Sequence, residues 1–477
     1  MEITMSKIRK ISEEEALAYC SRQEDDLFDI KSSRINGAKI QEIAVAFANS
    51  DGGLIIIGIE DEKTSSIPLA RWKGKDKIED FNGVIQAIVE LNPSIDFKHE
   101  FLWKEGGFIR SYVLKVEILT SLKVHETLKG EVYIRRGAQS IKLSGLKIQD
   151  LLRAKGQISE EDSYLYEIEP EVIVDSSQLS NYLMMLPITD KDPLSFALQE
   201  RLLNIDSYSP TVAAIILFAE NPISLMKAQC SVKIVRYDSS DDEIDRDKLT
   251  TDLHTINGSL VNLIKSSFER IKEVLSRNYT WTMNGVAQTS YPDEAIWETL
   301  VNSVLHRDYA VSDNVLVSIY RNRIVFRSPG RLPGYVTPEN ILTNRFSRNP
   351  KLVRLLSQYP DSFNKDLGEG VNTVFERMKQ NGFIDPVISD MDNCVTVSLY
   401  RTPTRDQSEI ILDFIDKHGS ISNRQALDVL GLEKAEQVTT IFSKLKDRGE
   451  IKRADEKQTG IRVNWIFASK KQAHQEA

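Results

Sequence analysis

The clearest hydrophobic pattern in the chain lies between residues 24 and 61, where two periodicities follow each other. Residues 27–31 alternate between apolar and polar side chains, which predicts a strand. Residues 38–49 place their apolar side chains on one helical stripe, and the glycines after them favour a helix end because glycine tolerates a positive φ. Residues 54–59 form an apolar run typical of a strand buried on both faces. This region therefore predicts a strand, a helix and a buried strand.

The flanking sequence extends this unit to a compact α+β domain that we expect to span residues 1–155. Ser12 and Glu15 have the spacing of a capping box, which predicts the start of a helix. Further helices are predicted over residues 78–91 and 145–155, and strands over residues 108–119 and 131–140.

The rest of the chain predicts three further segments. Residues 156–205 are acidic and mixed, as expected of a connector. Residues 206–400 contain a buried apolar run, a long amphipathic helix at 255–276 and a hairpin, which indicates a second α/β domain. Residues 401–477 predict three helices followed by a strand, a turn and a strand, the order of a winged helix-turn-helix. The predicted fold class is therefore α+β multidomain.

The composition limits where in the cell the protein is expected and which partners it could bind. The 477 residues carry a net charge of −9, so nucleic acid would have to bind a local basic face. No apolar run approaches the roughly 18 residues that span a bilayer, and the N-terminus has no apolar signal core. The three cysteines are isolated, which suggests neither a disulfide framework nor a zinc site. We expect a cytoplasmic protein without a membrane partner.

Three acids around the opening unit are candidates for metal chemistry. Asp29 lies on the first predicted strand, Asp61 follows the buried strand, and Glu24 is nearby. Carboxylates bind Mg²⁺ or Mn²⁺, and such ions activate water for phosphodiester hydrolysis. The alternative is that acids at strand ends are solvated or cap a turn.

Basic residues near these acids could contact phosphates, independently of nucleic-acid sequence. Ordinary solvated charge is the alternative for each of them. The candidates are Lys31, Arg34, Lys39, Arg135 and Arg136.

A second group of polar residues lies on one predicted helix. Glu298, Asn302 and His306 follow each other at four-residue spacing and therefore share one helical face. Such a stripe could simply face solvent. Further along, Gly368 and Gly370 precede another helix, where backbone N–H groups can approach an anion, although a plain loop would give the same pattern.

The tail offers a third candidate surface. In a winged helix the third helix enters the major groove, so Thr440 and Lys444 are among the candidate DNA-reading residues. The alternative is a protein–protein or dimerisation module.

Residues 12–145 resemble the Schlafen-type, AlbA-like domain, also called divergent AAA-4. The resemblance is carried by Glu24, Asp29-Ile30-Lys31, AFANSDGG and GIED. In nuclease members of that family three acids at these places cleave RNA, including tRNA, which implies the same role for Glu24, Asp29 and Asp61. Asp29 departs from the usual Glu by one methylene. Many bacterial members are described only as nucleic-acid binders.

The motif EAxxExxxNxxxHRDY at residues 294–309 is similar to the N-box of GHKL-type ATP-binding domains. The resemblance implies that Asn302 ligates Mg²⁺ and that Glu298 orients the attacking water. It also places Gly330 in the adenine-contacting box, and Gly368 and Gly370 in the box that covers the phosphates. Ser328-Pro329-Gly330 stands where the usual Asp would be.

Together these features predict an ATP-controlled protein that acts on nucleic acid. Its sharpest form is an endoribonuclease that uses Mg²⁺ or Mn²⁺ at Glu24, Asp29 and Asp61 and is gated by ATP, with ATPase activity left open. Family analogy suggests a role in phage defence or stress. The alternatives are a non-enzymatic, ATP-sensing transcriptional regulator that binds DNA through the tail, and a component of a larger complex. We also expect a homo-oligomer.

Overall fold

The computed structural model describes residues 7–105, 110–187, 192–239, 249–334, 336–359, 370–457 and 463–468. The chain divides into two compact units, Met1–Ile158 and Ser159–Ala477. Among the helices of these described ranges, none is both long and apolar enough to cross a membrane.

The first unit is built on a five-stranded sheet. Its strands are β1 (Lys7–Ile11), β2 (Phe28–Lys31), β3 (Gly53–Ile57), β4 (Phe97–Lys104) and β5 (Tyr112–Ile118). Their spatial order is β1-β4-β5-β3-β2, with β1/β4 and β2/β3 parallel and the remaining pairs antiparallel. The apolar run of β3 therefore lies inside the sheet, as its sequence predicts.

Helices and a hairpin complete the first unit. They are α1 (Glu13–Ser21), α2 (Gly37–Asn49), α3 (Asn82–Val89), α4 (Leu146–Ala154), β6 (Val132–Arg136) and β7 (Gln139–Leu143). The predicted strand–helix–strand arrangement is confirmed by β2, α2 and β3. The helix stops before Gly52, whose φ is +77° and where a Cβ would lie 2.7 Å from the Ile118 carbonyl oxygen. The single strand predicted over residues 131–140 is wrong: the chain reverses at Gly137, with φ +55°, and forms a hairpin.

The second unit contains a six-stranded sheet, a separate hairpin, a three-stranded sheet and the helices that precede and connect these strands in the sequence. Its strands are β8 (Val232–Tyr237), β9 (Leu249–Ile256), β10 (Tyr279–Thr282), β11 (Gly285–Gln288), β12 (Val315–Ile319), β13 (Arg323–Pro329), β14 (Val387–Met391), β15 (Cys394–Tyr400), β16 (Ile421–Ser422), β17 (Ile451–Arg453) and β18 (Asn464–Phe467). Its helices are α5 (Glu171–Val174), α6 (Ser177–Met185), α7 (Pro193–Gln199), α8 (Val212–Phe218), α9 (Leu260–Ser276), α10 (Asp293–Leu305), α11 (Pro350–Leu356), α12 (Gly370–Gln380), α13 (Gln407–His418), α14 (Asn423–Leu430) and α15 (Ala435–Asp447).

The large sheet of this unit has the order β14-β15-β13-β12-β8-β9. The apolar run at residues 211–219 forms the fully buried helix α8, and α8, α9 and α10 share one hydrophobic core with the sheet. The long helix predicted at 255–276 is confirmed but starts later, at Leu260, because the preceding residues pair with β8 as strand β9.

The tail folds as the three helices α13, α14 and α15 beside the small sheet β16-β18-β17. The predicted turn at Thr459-Gly460 lies outside the described residues. The hairpin of β10 and β11 also contributes to this core, since Trp281 and Met283 pack against it and the Trp281 ring meets Phe414 edge-on.

One arginine ties the hairpin to the tail. Arg401 donates from Nη1 to Thr280 Oγ1 at 2.6 Å and from Nη2 to the Asp428 carbonyl oxygen at 3.1 Å. Gly431 packs so closely here that a Cβ would lie 2.8 Å from the Arg401 backbone. Residues 159–477 therefore form one compact unit that includes the tail.

Candidate functional site

The acid cluster of the first unit is centred on Asp29 in β2. Its side chain is 1% exposed and accepts a hydrogen bond from Arg135 Nη1 at 2.7 Å. Its other oxygen pairs with Lys31 Nζ, which also donates to Glu24 Oε1 at 2.7 Å. Glu24 accepts a further hydrogen bond from the Ile30 backbone N–H at 3.1 Å. The fold thus brings Glu24 and Asp29 together around one lysine.

The two carboxyl groups of this cluster titrate differently because they are not equally buried. Burial and the hydrogen bond with Glu24 raise the pKa of Asp29 to about 6, despite the neighbouring cations. Burial also acts to raise the pKa of Glu24, but hydrogen bonds from Asp29, Lys31 and the Ile30 N–H outweigh it and leave that pKa below its ordinary value.

Asp61 is placed in a different local environment. It is exposed and caps a short 3₁₀ turn (Glu62–Thr64) by accepting from the Lys63 N–H at 2.8 Å. Its neighbour Glu60, which the sequence analysis did not single out, accepts from Ser32 Oγ at 2.8 Å just past β2. No group of three His, Cys, Asp or Glu side chains in the described ranges is arranged to hold a metal ion. The metal role of Glu24, Asp29 and Asp61 stays a prediction.

The basic candidates differ in accessibility. Arg135 was expected to contact phosphate, but its side chain is 1% exposed and donates to Asp29, to the Phe28 carbonyl and to the Asp25 carbonyl. Burial beside Phe47 makes it a structural partner of Asp29 and withholds it from a ligand at the surface. Lys31 is engaged by the two acids and Lys39 pairs with Glu42, whereas Arg34 and Arg136 are exposed.

A cavity of about 390 Å³ lies in the second unit, bounded by α10, by the start of α12 and by strands of the large sheet. Asn302 and His306 line it, together with apolar walls that include Leu332, Pro333 and Phe346. Two of the three residues of the predicted polar stripe, Asn302 and His306, therefore line this cavity.

Two glycines allow close approaches around the cavity. A Cβ at Gly370 would lie 2.7 Å from Glu298 Oε2 and 3.3 Å from Asn302 Nδ2, so the first turn of α12 meets both side chains. Gly330 has φ +95°, and a Cβ there would lie 2.5 Å from Asp308 Cβ. Gly368 lies outside the described residues. Asn302 and Gly370 thus line the cavity, and Glu298 contacts the first turn of α12 beside it.

His306 lies at the opposite end of the stripe. Burial, with a contribution from the Arg348 guanidinium, lowers the pKa of His306 to about 4, so the imidazole is neutral near pH 7. Its Nδ1 is buried and has no hydrogen-bond partner among the residues that the structure describes.

Residues after β13 are fastened to the end of α10 in a way that the sequence analysis missed. Arg348 Nη1 donates to Asp308 Oδ2 at 2.8 Å. Asn349 Nδ2 donates to the carbonyl oxygens of Leu305 and Arg307, at 2.8 and 2.9 Å. Asp308 belongs to the recognised HRDY motif, but nothing in the local pattern around Arg348 and Asn349 indicates these long-range contacts.

In the tail, Thr440 and Lys444 are exposed on α15. The Thr440 hydroxyl donates to the Glu436 carbonyl at 2.9 Å, within its own helix. These residues are accessible, and their role in nucleic-acid binding stays a prediction.

The first unit is thus an α+β domain, and the second contains the cavity. Residues 24–144 match the family model described as Schlafen, AlbA_2, and residues 312–399 match the one described as putative ATP-dependent DNA helicase recG C-terminal. The chain therefore carries a Schlafen AlbA_2 domain and an ATPase-like domain, as the motifs predicted. The N-box motif lies just before the second matched segment.

One solved structure that matches is the crystal structure of the DIP2311 protein from Corynebacterium diphtheriae. It is 15% identical, with a TM-score of 0.38, and the match covers 95% of this chain and 82% of that one. No curated protein matches the chain.

Proposed function

We propose that this chain is a nucleotide-controlled protein that acts on nucleic acid, with ATP bound in the cavity beside α10. The observation that supports it best is that Asn302 and Gly370 line the cavity and that Glu298 meets Gly370 beside it. An amide and a carboxylate there offer oxygens to Mg²⁺, and the first turn of α12 offers backbone N–H groups and a favourable dipole to phosphates. The name of the family model matched by residues 312–399 adds weight to ATP.

Titration calorimetry with ATP and Mg²⁺ tests this site. We expect one ATP per chain for the wild type and at least tenfold weaker binding for Asn302→Ala. A wild-type protein that binds neither ATP nor its analogues, or an Asn302→Ala variant that binds as tightly as the wild type, would contradict the assignment.

For the action on nucleic acid, the first candidate is metal-dependent RNA cleavage by Glu24, Asp29 and Asp61. It rests on the AlbA_2 match and on the proximity of Glu24 to Asp29. A divalent ion here would have to compete with Lys31 for the carboxylates. We expect purified protein to cleave tRNA with Mn²⁺ and Asp61→Ala to lose that activity, with Glu62→Ala as an exposed control on the same turn. Equal cleavage by all three proteins would exclude the proposed acids.

A second candidate is favoured by the state of Asp29, both of whose oxygens are engaged by cations of the protein itself. An acid neutralised in this way suits a domain that binds nucleic acid without cutting it. The chain would then be an ATP-sensing regulator that reads DNA through its tail, which we interpret as a winged helix with α15 as the recognition helix.

Electrophoretic mobility shifts with genomic DNA fragments separate the two candidates. The regulator is expected to retain a preferred fragment in the wild type and to lose it in a Thr440→Ala, Lys444→Ala double variant. Retention that is unchanged in the double variant would remove the tail from DNA recognition, and so would binding with no preference among fragments.

A further inference from the structure

Two buried polar atoms beside the cavity lack a hydrogen-bond partner among the described residues: Nδ1 of His306 and Oγ of Ser347. Both residues line the cavity. Folded proteins pair the large majority of their buried polar atoms, and an unpaired one calls for an explanation such as a ligand. Two of them at one cavity point to polar groups that a ligand brings.

The segments that carry these two residues are joined by contacts at the end of α10. Asn349 fixes the carbonyls on both sides of His306, and Arg348 is bound to Asp308. Ser347 therefore belongs to a segment that is anchored to the same turn of chain that carries His306. The pair is built into the fold and does not depend on one mobile side chain.

The position of the pair indicates which part of a nucleotide it meets. Glu298 and His306 are eight residues apart on α10, which corresponds to about 12 Å along a helix axis. The Glu298 end carries Gly370 and the first turn of α12, and we assign it to the phosphates. The cavity walls also include Leu332, Pro333 and Phe346, which suit a flat, largely apolar ring. We assign that ring to the end with His306, away from Glu298.

Ser328 lies in the segment that resembles the adenine-contacting box, but its hydroxyl already makes a hydrogen bond within the protein. Ser328 donates its hydroxyl to the Ser303 carbonyl oxygen at 2.7 Å, inside the protein. The hydroxyl hydrogen of Ser328 is therefore not available to a ligand, and a hydrogen-bond donor to the nucleoside has to come from another group. A neutral imidazole and a rotatable hydroxyl can each donate or accept a hydrogen bond, so both suit a base edge or a ribose hydroxyl.

We propose that His306 and Ser347 bind the nucleoside part of the nucleotide, while Glu298, Asn302 and Gly370 bind its phosphates and metal. This assignment rests on the proposed nucleotide site and divides it into two ends with different chemistry.

The test compares ATP with inorganic tripolyphosphate, each with Mg²⁺, by titration calorimetry of the full chain. Losing one hydrogen bond to the ligand should weaken ATP binding about 5- to 10-fold in Ser347→Ala and in His306→Ala. Tripolyphosphate has no nucleoside, so its affinity should stay within about twofold of the wild type in both variants. His306→Gln, which keeps a donor and an acceptor, should recover part of the ATP affinity.

Ser267→Ala is the matched control. Ser267 also has a buried hydroxyl without a partner among the described residues, but it lies on α9 and does not line the cavity. We expect it to bind both ligands like the wild type. Ser347→Ala removes a single oxygen, so it keeps the test informative if His306→Ala folds poorly.

The outcomes separate this inference from the function on which it rests. Equal losses of ATP and tripolyphosphate affinity in Ser347→Ala would place the residue at the phosphate end and overturn the assignment. Unchanged ATP affinity in both variants would overturn it as well. A wild type that binds tripolyphosphate and ATP equally well would show that no nucleoside subsite exists, whereas a wild type that binds neither would overturn the nucleotide site itself.

Discussion

Asp29 in the first unit and His306 in the second are both buried and both titratable, but the protein surrounds them differently. Asp29 has cations of the chain at both of its oxygens. His306 has a nitrogen without a partner in the described structure and lines a cavity. The first arrangement is satisfied by the protein itself, whereas the second leaves a position that we propose a ligand fills. Burial of a titratable group alone therefore does not identify a binding site. What matters is whether the protein itself satisfies the hydrogen bonds of the buried group.

The largest effect on stability should come from removing the arginine of the acid cluster. Arg135→Ala leaves Asp29 buried without its arginine, and breaking a buried ion pair in this way costs about 3–5 kcal/mol. We expect that loss in the free energy of unfolding measured by chemical denaturation. Arg136→Ala is the matched control, since the neighbouring side chain is exposed and should change stability by less than about 0.5 kcal/mol. Similar values for the two variants would mean that Asp29 does not depend on Arg135.

The next effect concerns the cavity. ATP at 100 times its dissociation constant should raise the free energy of unfolding of the second unit by about 2.7 kcal/mol. In Gly370→Ala the new methyl group would displace the Glu298 carboxylate, because 2.7 Å is closer than a Cβ can approach. We expect the variant to fold normally and to lose most of the ATP-induced shift in melting temperature. A full shift in Gly370→Ala would show that the phosphate end lies elsewhere.

A further effect depends on pH and concerns a second buried acid, Glu161. Glu161 accepts hydrogen bonds from the Lys351 and Leu352 N–H groups at the start of α11, and burial raises its pKa from 4.5 to about 7. The folded state then holds a proton that the unfolded chain has released, so this group makes stability fall as pH rises from 4.5 to 7. Denaturation at several pH values should show a shallower fall in Glu161→Gln. An unchanged slope would mean that Glu161 ionises as it does in the unfolded chain.

The smallest effect is expected at Asp61. Its carboxylate caps one short exposed turn, so Asp61→Ala should cost only about 0.5 kcal/mol in a denaturation experiment. This small value makes the variant suitable for the cleavage assay, since a loss of activity could not be explained by unfolding. A cost of several kcal/mol would instead show that Asp61 has a structural role like that of Asp29.

Local periodicity accounts for much of what the sequence predicted correctly. The β2–α2–β3 arrangement, the helix carrying Asn302 and the hairpin of β12 and β13 all follow from patterns a few residues long. The N-box spacing also placed Asn302 and His306 on the face that lines the cavity. Each of these features is determined by the residues that form it, so a single short stretch of sequence is enough to predict it.

The predictions that failed or were missed depend on partners far away in the sequence. Arg135 looks like a surface cation, but it is buried beside Phe47 and pairs with Asp29, 106 residues earlier. Glu161 accepts a hydrogen bond from the Lys351 N–H in the first turn of a helix, 190 residues later. No pattern in a single sequence predicts such pairs, because each partner on its own looks like an ordinary solvated charge.

The hairpin of β10 and β11 means that the tail core is assembled from two distant stretches of the chain. Trp281 and Met283 complete this core, and the helix that carries Asn302 begins shortly after the hairpin ends. We therefore expect the tail and the cavity to melt in one cooperative transition, so that a ligand in the cavity also protects the tail from proteolysis. The tail could not be exchanged for an unrelated module during evolution unless Trp281 and Met283 changed with it.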